Sequence, residues 1–407
     1  MPARPAPVMR DGLLDVAAMT DEVLELVRCE SPSDDLAAVA RSADAVDGLG
    51  SRLLGRRAER IEIDGVTHLR WRFGGTPRVL LLGHHDTVWP VGSLPAHPAE
   101  VRDGRLTGPG SFDMKAGIVM AFHAIAALPS PDGVSLLITG DEEPGSTTSR
   151  ALIEDEARGC AAALVLEAAG PGGALKTERK GVSRYEVHVR GRAAHAGLEP
   201  ERGVNATLEL AHQVQAVAGI GAPGIGTTVT MTRAEAGTTS NTVPARGHFA
   251  VDVRATSAAE QQRVHAEIGA LAAHLPGASV EVLGGVNRPP LDLRSSRALF
   301  ARISRIADEL DLGPLDSVAV GGASDGNFTA GVGTPTLDGL GAVGGGAHAD
   351  DEHVIVSELE PRARLLSVLI AELLADADAG ARSGTGTGTD AGTATGGTEP
   401  GERIGRA

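Results

Sequence analysis

The chain has 407 residues, 42% of them hydrophobic but only 2% aromatic, with a net charge of −16 and two cysteines. That length allows one large domain or two, and its core must be built from Ala, Val, Leu and Ile. The acidic balance excludes nucleic acid and anionic membrane as non-specific partners; two cysteines exclude a disulfide framework or a cysteine-based zinc site.

No apolar run approaches the roughly 18 residues of a membrane span. The N-terminal stretch lacks the apolar core of a signal peptide, so a cytoplasmic location is expected. Residues 1–9 are Pro-rich and expected to be loose. A helix is predicted over 12–28 from the spacing of Leu13, Leu14, Val16, Val23, Leu24 and Val27. "VLLLG" (79–83), "VSLLIT" (134–139) and "AALVLE" (162–167) read as buried strands, with a helix at 114–128 between the first two. Strands alternating with helices predict an α/β layer with a mostly parallel sheet.

The pattern then changes. Strands are predicted at 182–190, 226–237, 246–255 and 278–284, and helices at 203–218 and 256–274, the latter opened by a Thr or Ser cap. That β-α-β-β-α-β order is the ferredoxin-like split unit. It reads as an insertion at 182–290 that divides one α/β unit into 10–181 and 291–378. The Gly/Thr/Ala-rich tail, 379–407, has almost nothing to bury and is expected to be disordered.

Acids and histidines gather where strands end. "LLGHHDTVWP" (81–90) carries His84, His85 and Asp86. "GPGSFDMKAG" (108–117) holds Asp113 in a Gly-rich loop, and "ITGDEEPGS" (138–146) ends a strand in Asp141, Glu142 and Glu143. "LVLEAAG" (164–170) ends in Glu167, and "GGGAHADDEHV" (344–354) holds His348. Taken singly, each has an ordinary structural reading: a satisfied core histidine, a solvated acidic loop, a helix cap. Together they sit where open α/β sheets bind ligands, outside the carboxyl ends of the strands. So many acids would repel one another without cations. Zinc accepts imidazole nitrogen and carboxylate oxygen. Two zinc ions need about five or six protein ligands, with one carboxylate bridging a separation of roughly 3.5–4 Å. His84, Asp113, Glu143, Glu167 and His348 supply such a set.

Strand alternation puts His84 and Asp86 on one side and turns His85 away. Asp86 is placed to accept the second ring N–H of His84, which fixes its tautomer. Glu142 and Glu143 can divide labour, one toward metal and one free as proton acceptor. "GLGAVG" (339–344) matches a dinucleotide-binding glycine pattern, but "GGAHADDEH" follows it and no helix of ordinary length can.

With "GRAAHAG" (191–197), these motifs resemble the two-zinc metallopeptidases that include glutamate carboxypeptidase (carboxypeptidase G), acetylornithine deacetylase and succinyl-diaminopimelate desuccinylase. The resemblance runs from about 12 to 376, nearest to the carboxypeptidase G-like branch. It implies that the split unit is catalytic and that the insertion is a lid through which a homodimer forms. It implies His84 and Glu167 on one zinc, Glu143 and His348 on the other, and Asp113 bridging, with a cis Asp113–Met114 peptide. Glu142 becomes the general base and Asp86 the residue that orients His84. His195 would polarise the scissile carbonyl from the partner subunit. Asn241 and Arg254 would contact substrate, Arg254 through a carboxylate; the loop at Gly322, Ala323 and Ser324 would also face substrate.

The activity so implied is hydrolysis of a peptide or N-acyl amide that releases an amino acid with a free carboxylate, using two zinc ions, or cobalt in their place. Glutamate at 167, where aminopeptidases of the group carry Asp, favours a carboxypeptidase or deacylase. The alternatives are an N-acyl amino acid deacylase and a catalytically inactive binding protein on the same fold. His85 beside His84 leaves a ligand swap open.

Overall fold

The computed structural model describes residues 12–384. The loose stretch expected at 1–9 lies outside the described residues. The last helix, Leu359–Gly384, runs into the expected tail, whose remainder, 385–407, also lies outside them.

The run "VLLLGH" forms the strand Val79–His84, buried at every position. Its alternation serves two cores. Val79 and Leu81 face one with helices Val16–Val27, Leu36–Leu54, Ala116–Ala126, Leu293–Glu309 and Leu359–Gly384. Leu80 and Leu82 face a second with Leu137, Ile153, Ala157 and Phe328. A strand covered on both faces reads as continuous hydrophobic sequence, the mark of a parallel sheet.

The sheet has six strands in the order Glu59–Ile63, Val66–Arg72, Val134–Thr139, Val79–His84, Ala162–Val165, Thr336–Leu337. Val79–His84 runs parallel to both of its neighbours, and Thr336–Leu337 continues that direction. The first two strands are an antiparallel addition at one edge. The chain is therefore mixed α/β with a mostly parallel centre, as predicted.

A second, antiparallel sheet has the order Thr228–Ala236, Arg246–Ala255, Gly181–Arg190, Ser279–Arg288. One face, with Tyr185, Val187, Val189, Phe249, Val251 and Val253, buries its own core against helices Ala206–Ala218 and Ala258–Gly269. This is the β-α-β-β-α-β order predicted for the segment.

Helix boundaries moved for local reasons. The helix predicted from 114 begins at Ala116, because Asp113 (φ −116°, ψ 91°) and Met114 (φ −137°, ψ 33°) leave helical geometry. Ala206–Ala218 starts late because Asn205 caps it, accepting from the N–H groups of Thr207 and Leu208 at 3.0 and 3.2 Å. Ala258–Gly269 is capped by Ser257 and stops short of 274, where the N–H groups of His274 and Leu275 turn to the Glu209 carboxylate.

A third, small sheet matters most for the site. The short strands Gly344–Gly345 and His353–Ile355 pair with each other, and the latter pairs with Arg105–Thr107. The tip of that hairpin, 346–352, is thereby held over the loop that follows Thr107.

Two glycines of one helix should respond oppositely to alanine. A Cβ on Gly50 would lie 2.7 Å from the Trp71 ring and 2.9 Å from Phe122, both buried in the core. A Cβ on Gly48 meets nothing within 4 Å. In urea unfolding, Gly50→Ala should lose about 1–3 kcal/mol from overpacking, and Gly48→Ala should gain about 0.5–1 kcal/mol of helix propensity.

Candidate active site

Three parallel strands deliver their acids and histidine at one edge. His84 ends Val79–His84, Glu142 and Glu143 follow Val134–Thr139, and Glu167 follows Ala162–Val165. Asp113 sits in the turn Ser111–Lys115, and its peptide to Met114 is cis. His348 (φ 63°) sits at the tip of the hairpin that the small sheet holds over this edge.

Two groups result. His84 Nε2 lies 3.3 Å from Asp113 Oδ1 and 3.6 Å from Glu167 Oε1. His348 Nε2 lies 3.3 Å from Asp113 Oδ2 and 3.3 Å from Glu143 Oε1. In each group the ligand-type atoms all lie within 4.8 Å of one another. Asp113 belongs to both, one oxygen to each. The structure thus brings together every side chain of the predicted ligand set.

The residues behind them are equally specific. His84 Nδ1 is 3.0 Å from the backbone carbonyl of Asp86 and 3.5 Å from its Oδ1. The partner predicted for this ring N–H was the carboxylate; the carbonyl is nearer. The Asp86 carboxylate instead accepts from the Glu142 and Glu143 N–H groups, each at 3.2 Å, and from Ser33 Oγ at 2.7 Å. It ties the His84 strand to the Glu142–Glu143 turn. His85 points the other way, its Nε2 3.1 Å from Thr67 O, and burial pulls its pKa down to about 4. His85 therefore belongs to neither group. Glu143 faces His348, whereas Glu142 faces Arg288, whose Nη2 donates to Oε1 at 3.0 Å.

The groups open into a cleft of about 330 Å³. Its walls carry Lys176, Arg179, Arg184, Arg254 and Arg288 beside the carboxylates. Arg254 is among them, paired with Asp252 through Nε at 2.7 Å and Nη2 at 3.0 Å. Gly322 and Ala323 also line it. Ser324 does not. It is fully buried, and its hydroxyl donates to Asp338 Oδ2 at 2.6 Å, so it shapes the loop from behind. His195 and Asn241 do not line the cleft either. They lie side by side on the inserted unit, where His195 is exposed and pairs with Thr242, and Ala196 N–H donates to Asn241 O.

Residues 80–372 match the family model "Peptidase family M20/M25/M40". The chain belongs to peptidase family M20/M25/M40. Among its relatives are carboxypeptidase G2 of a Pseudomonas species, 28% identical over 89% of this chain and 92% of that one. A succinyl-diaminopimelate desuccinylase of Cereibacter sphaeroides is 31% identical over 86% and 96%. The aminopeptidase PepT of Bacillus cereus has the same fold, with a TM-score of 0.70 at 23% identity over 89% of this chain and 100% of that one. This M20/M25/M40 member is a hydrolase of peptide or N-acyl amide bonds. Among the described residues, no helix is long and apolar enough to cross a membrane.

For an M20/M25/M40 peptidase, the glycine pattern at 339–344 has a packing role. A Cβ on Gly341 would lie 2.2 Å from Leu166 O and 2.8 Å from Glu167 O, and one on Gly344 2.0 Å from His353 O. The segment must pass close over the backbone that bears Glu167. Sequence reasoning missed Arg288, Arg179 and Glu352. Arg179 donates to Glu167 Oε2 at 3.2 Å and twice to Asp338 at 2.9 Å. Buried charges separated in sequence by scores of residues leave no local pattern to read.

The cluster is electrostatically polarised. Bonds to Asp113 and then Glu143 push His348 up to about 10. Burial opposes ionisation of His84, but Asp113, Asp86 and Glu167 outweigh it and hold its pKa well above the usual value. Burial pushes Glu142 well above the carboxylate range, with Arg288 pulling the other way. In the metal-free protein, stability from His348 is complete below its ordinary pKa of about 6.5 and is lost as pH rises through about 10. The thermal midpoint of metal-free wild type should therefore exceed that of His348→Asn at pH 6, and the gap should shrink toward pH 10. A gap that widened across that range would contradict the assignment.

Proposed function

We propose that the two groups hold a pair of divalent cations, zinc or cobalt, and that the chain is a carboxypeptidase-like hydrolase of peptides or N-acyl amino acids. One observation carries this reading: the two oxygens of Asp113 are divided between two imidazoles. Asp113 Oδ1 and Glu143 Oε1 are buried and make no well-aligned hydrogen bond; each has only an imidazole nitrogen, at 3.3 Å, beside it. A buried polar atom left poorly satisfied is costly, and a cation at each group would satisfy these oxygens directly. Two imidazoles and three carboxylates are also the donor types that zinc accepts. His84 and Glu167 would hold one ion, Glu143 and His348 the other, and Asp113 both.

Such ions supply Lewis acidity and lower the pKa of water from 15.7 to about 7. The chain's own residues do the rest. Glu142, raised by burial and outside both groups, takes a proton from the attacking water as the new C–O bond forms. It returns that proton to the amine nitrogen as the C–N bond breaks. Asp86 keeps Glu142 and Glu143 in register with His84 through their backbone N–H groups. The five cationic side chains of the cleft wall, on a chain of net charge −16, suit a substrate with a free carboxylate, with Arg254 the candidate to meet it.

His195 stands outside its own cleft, which supports the reading that it serves the cleft of a second copy of the chain, with Asn241 beside it contacting substrate. His195 then donates to the developing oxyanion, and the working unit is a homodimer joined through the inserted unit.

A second reading keeps the same chemistry with a different acyl group. The Cereibacter relative is named a desuccinylase, and a deacylase of N-acyl amino acids needs the same carboxylate-accepting wall. A panel of dipeptides and N-acyl amino acids, with released amine measured, separates the two. Against the best substrate, Glu142→Ala should lose about 10²–10⁴ in kcat, the usual contribution of general acid–base catalysis, while keeping two ions per chain. Turnover at the wild-type rate would remove Glu142 from its role.

A further inference from the structure

We infer that Glu352 is the positioning residue that holds the Asp113 turn in its two-sided orientation, and so sets the metal affinity of the site proposed above, on which this inference rests. Glu352 is fully buried. Its Oε1 accepts from the N–H of Phe112 at 2.9 Å and of Asp113 itself at 3.0 Å. Its Oε2 accepts from the N–H of Gly110 at 3.1 Å and from the Trp89 indole at 2.6 Å. An ionised carboxylate has about four acceptor positions. All are used, so Glu352 has no lone pair left for a metal, and it belongs to neither ligand group.

The donors come from the segments that matter. Trp89 lies just beyond the His84 strand, Gly110 to Asp113 form the bridging turn, and Glu352 lies in the hairpin tip that carries His348. One side chain therefore ties the three backbone segments bearing His84, Asp113 and His348. Trp89 is itself braced by stacking on His97, whose Nε2 accepts from Gly108 N–H at 3.3 Å. Burying a carboxylate costs several kcal/mol, and apolar replacements of buried charges are often neutral or stabilising. A fastening needed only for stability would not call for a charge here. An acceptor for the Phe112 and Asp113 N–H groups is needed to orient a bridging aspartate.

Partners of metal ligands typically change metal affinity or activity by 10–100-fold when removed. The test is a zinc titration of metal-depleted, full-length protein by calorimetry, with far-UV circular dichroism to confirm folding. Wild type should take up two ions. Glu352→Gln puts an amide against two of the donors and should bind at least one ion 10–100-fold more weakly, with kcat lowered more than KM is changed. Trp89→Phe removes one donor but leaves both bonds on Oε1, and should stay near wild type. Glu352→Asp keeps the charge but withdraws it by a methylene; it should also bind more weakly, and it carries the test if the Gln variant does not fold. Wild-type affinity for both ions in Glu352→Gln and Glu352→Asp would overturn the inference. So would a loss in Trp89→Phe equal to that in Glu352→Gln, because general loosening would then suffice. A wild type that takes up no zinc would overturn the metal reading itself.

Discussion

Asp113 presents Oδ1 to His84 and Oδ2 to His348, both at 3.3 Å, while Glu167 and Glu143 complete the two sides. For one carboxylate to serve two partners at once, its backbone must be fixed to within a fraction of an ångström. Much of the surrounding architecture meets that requirement. The turn that carries Asp113 is pinned at its N–H groups by Glu352, and the helix Ala116–Ala126 leaves it at once into the core. Behind His84, the Asp86 carboxylate fastens the neighbouring strand's Glu142–Glu143 turn. Placing a constellation on strand ends rather than free loops is how such precision is reached.

The same arrangement has an electrostatic consequence. Acids crowded at the sheet edge raise the pKa of both imidazoles, and burial raises that of Glu142 above an ordinary carboxylate. Cations entering the two groups would replace the protons on the imidazoles, and metal binding of this kind releases protons. Around them the cleft is lined by Lys176, Arg179, Arg184, Arg254 and Arg288. A chain that is acidic overall thus gathers five cationic side chains beside the carboxylates of this one cleft.

Most of the centre was legible in the amino-acid sequence because its signals are local. A six-residue buried run ending in histidine, and acids directly after two further apolar runs, announce a parallel sheet with chemistry at its carboxyl edge. The alternating strands of the inserted unit were equally plain. Other features are not local. The antiparallel edge strands Glu59–Ile63 and Val66–Arg72 depend on which neighbour they pair with. Glu352 carries no local signal in the sequence; the pairing of His353–Ile355 with Arg105–Thr107 carries it to the Asp113 turn. Ser324 failed for the converse reason: its neighbours Gly322 and Ala323 face the cleft, but its own hydroxyl turns inward to Asp338. Adjacent residues share a loop, not a direction.

The account stands on the number and placement of cations around one side chain. Anomalous diffraction at the zinc edge, from crystals grown with zinc and free of other heavy atoms, tests it most directly. It predicts two peaks flanking Asp113, roughly 3.5–4 Å apart, with one against His84 and Glu167 and the other against His348 and Glu143. A single peak, or density that leaves either Asp113 oxygen without an ion, would contradict it.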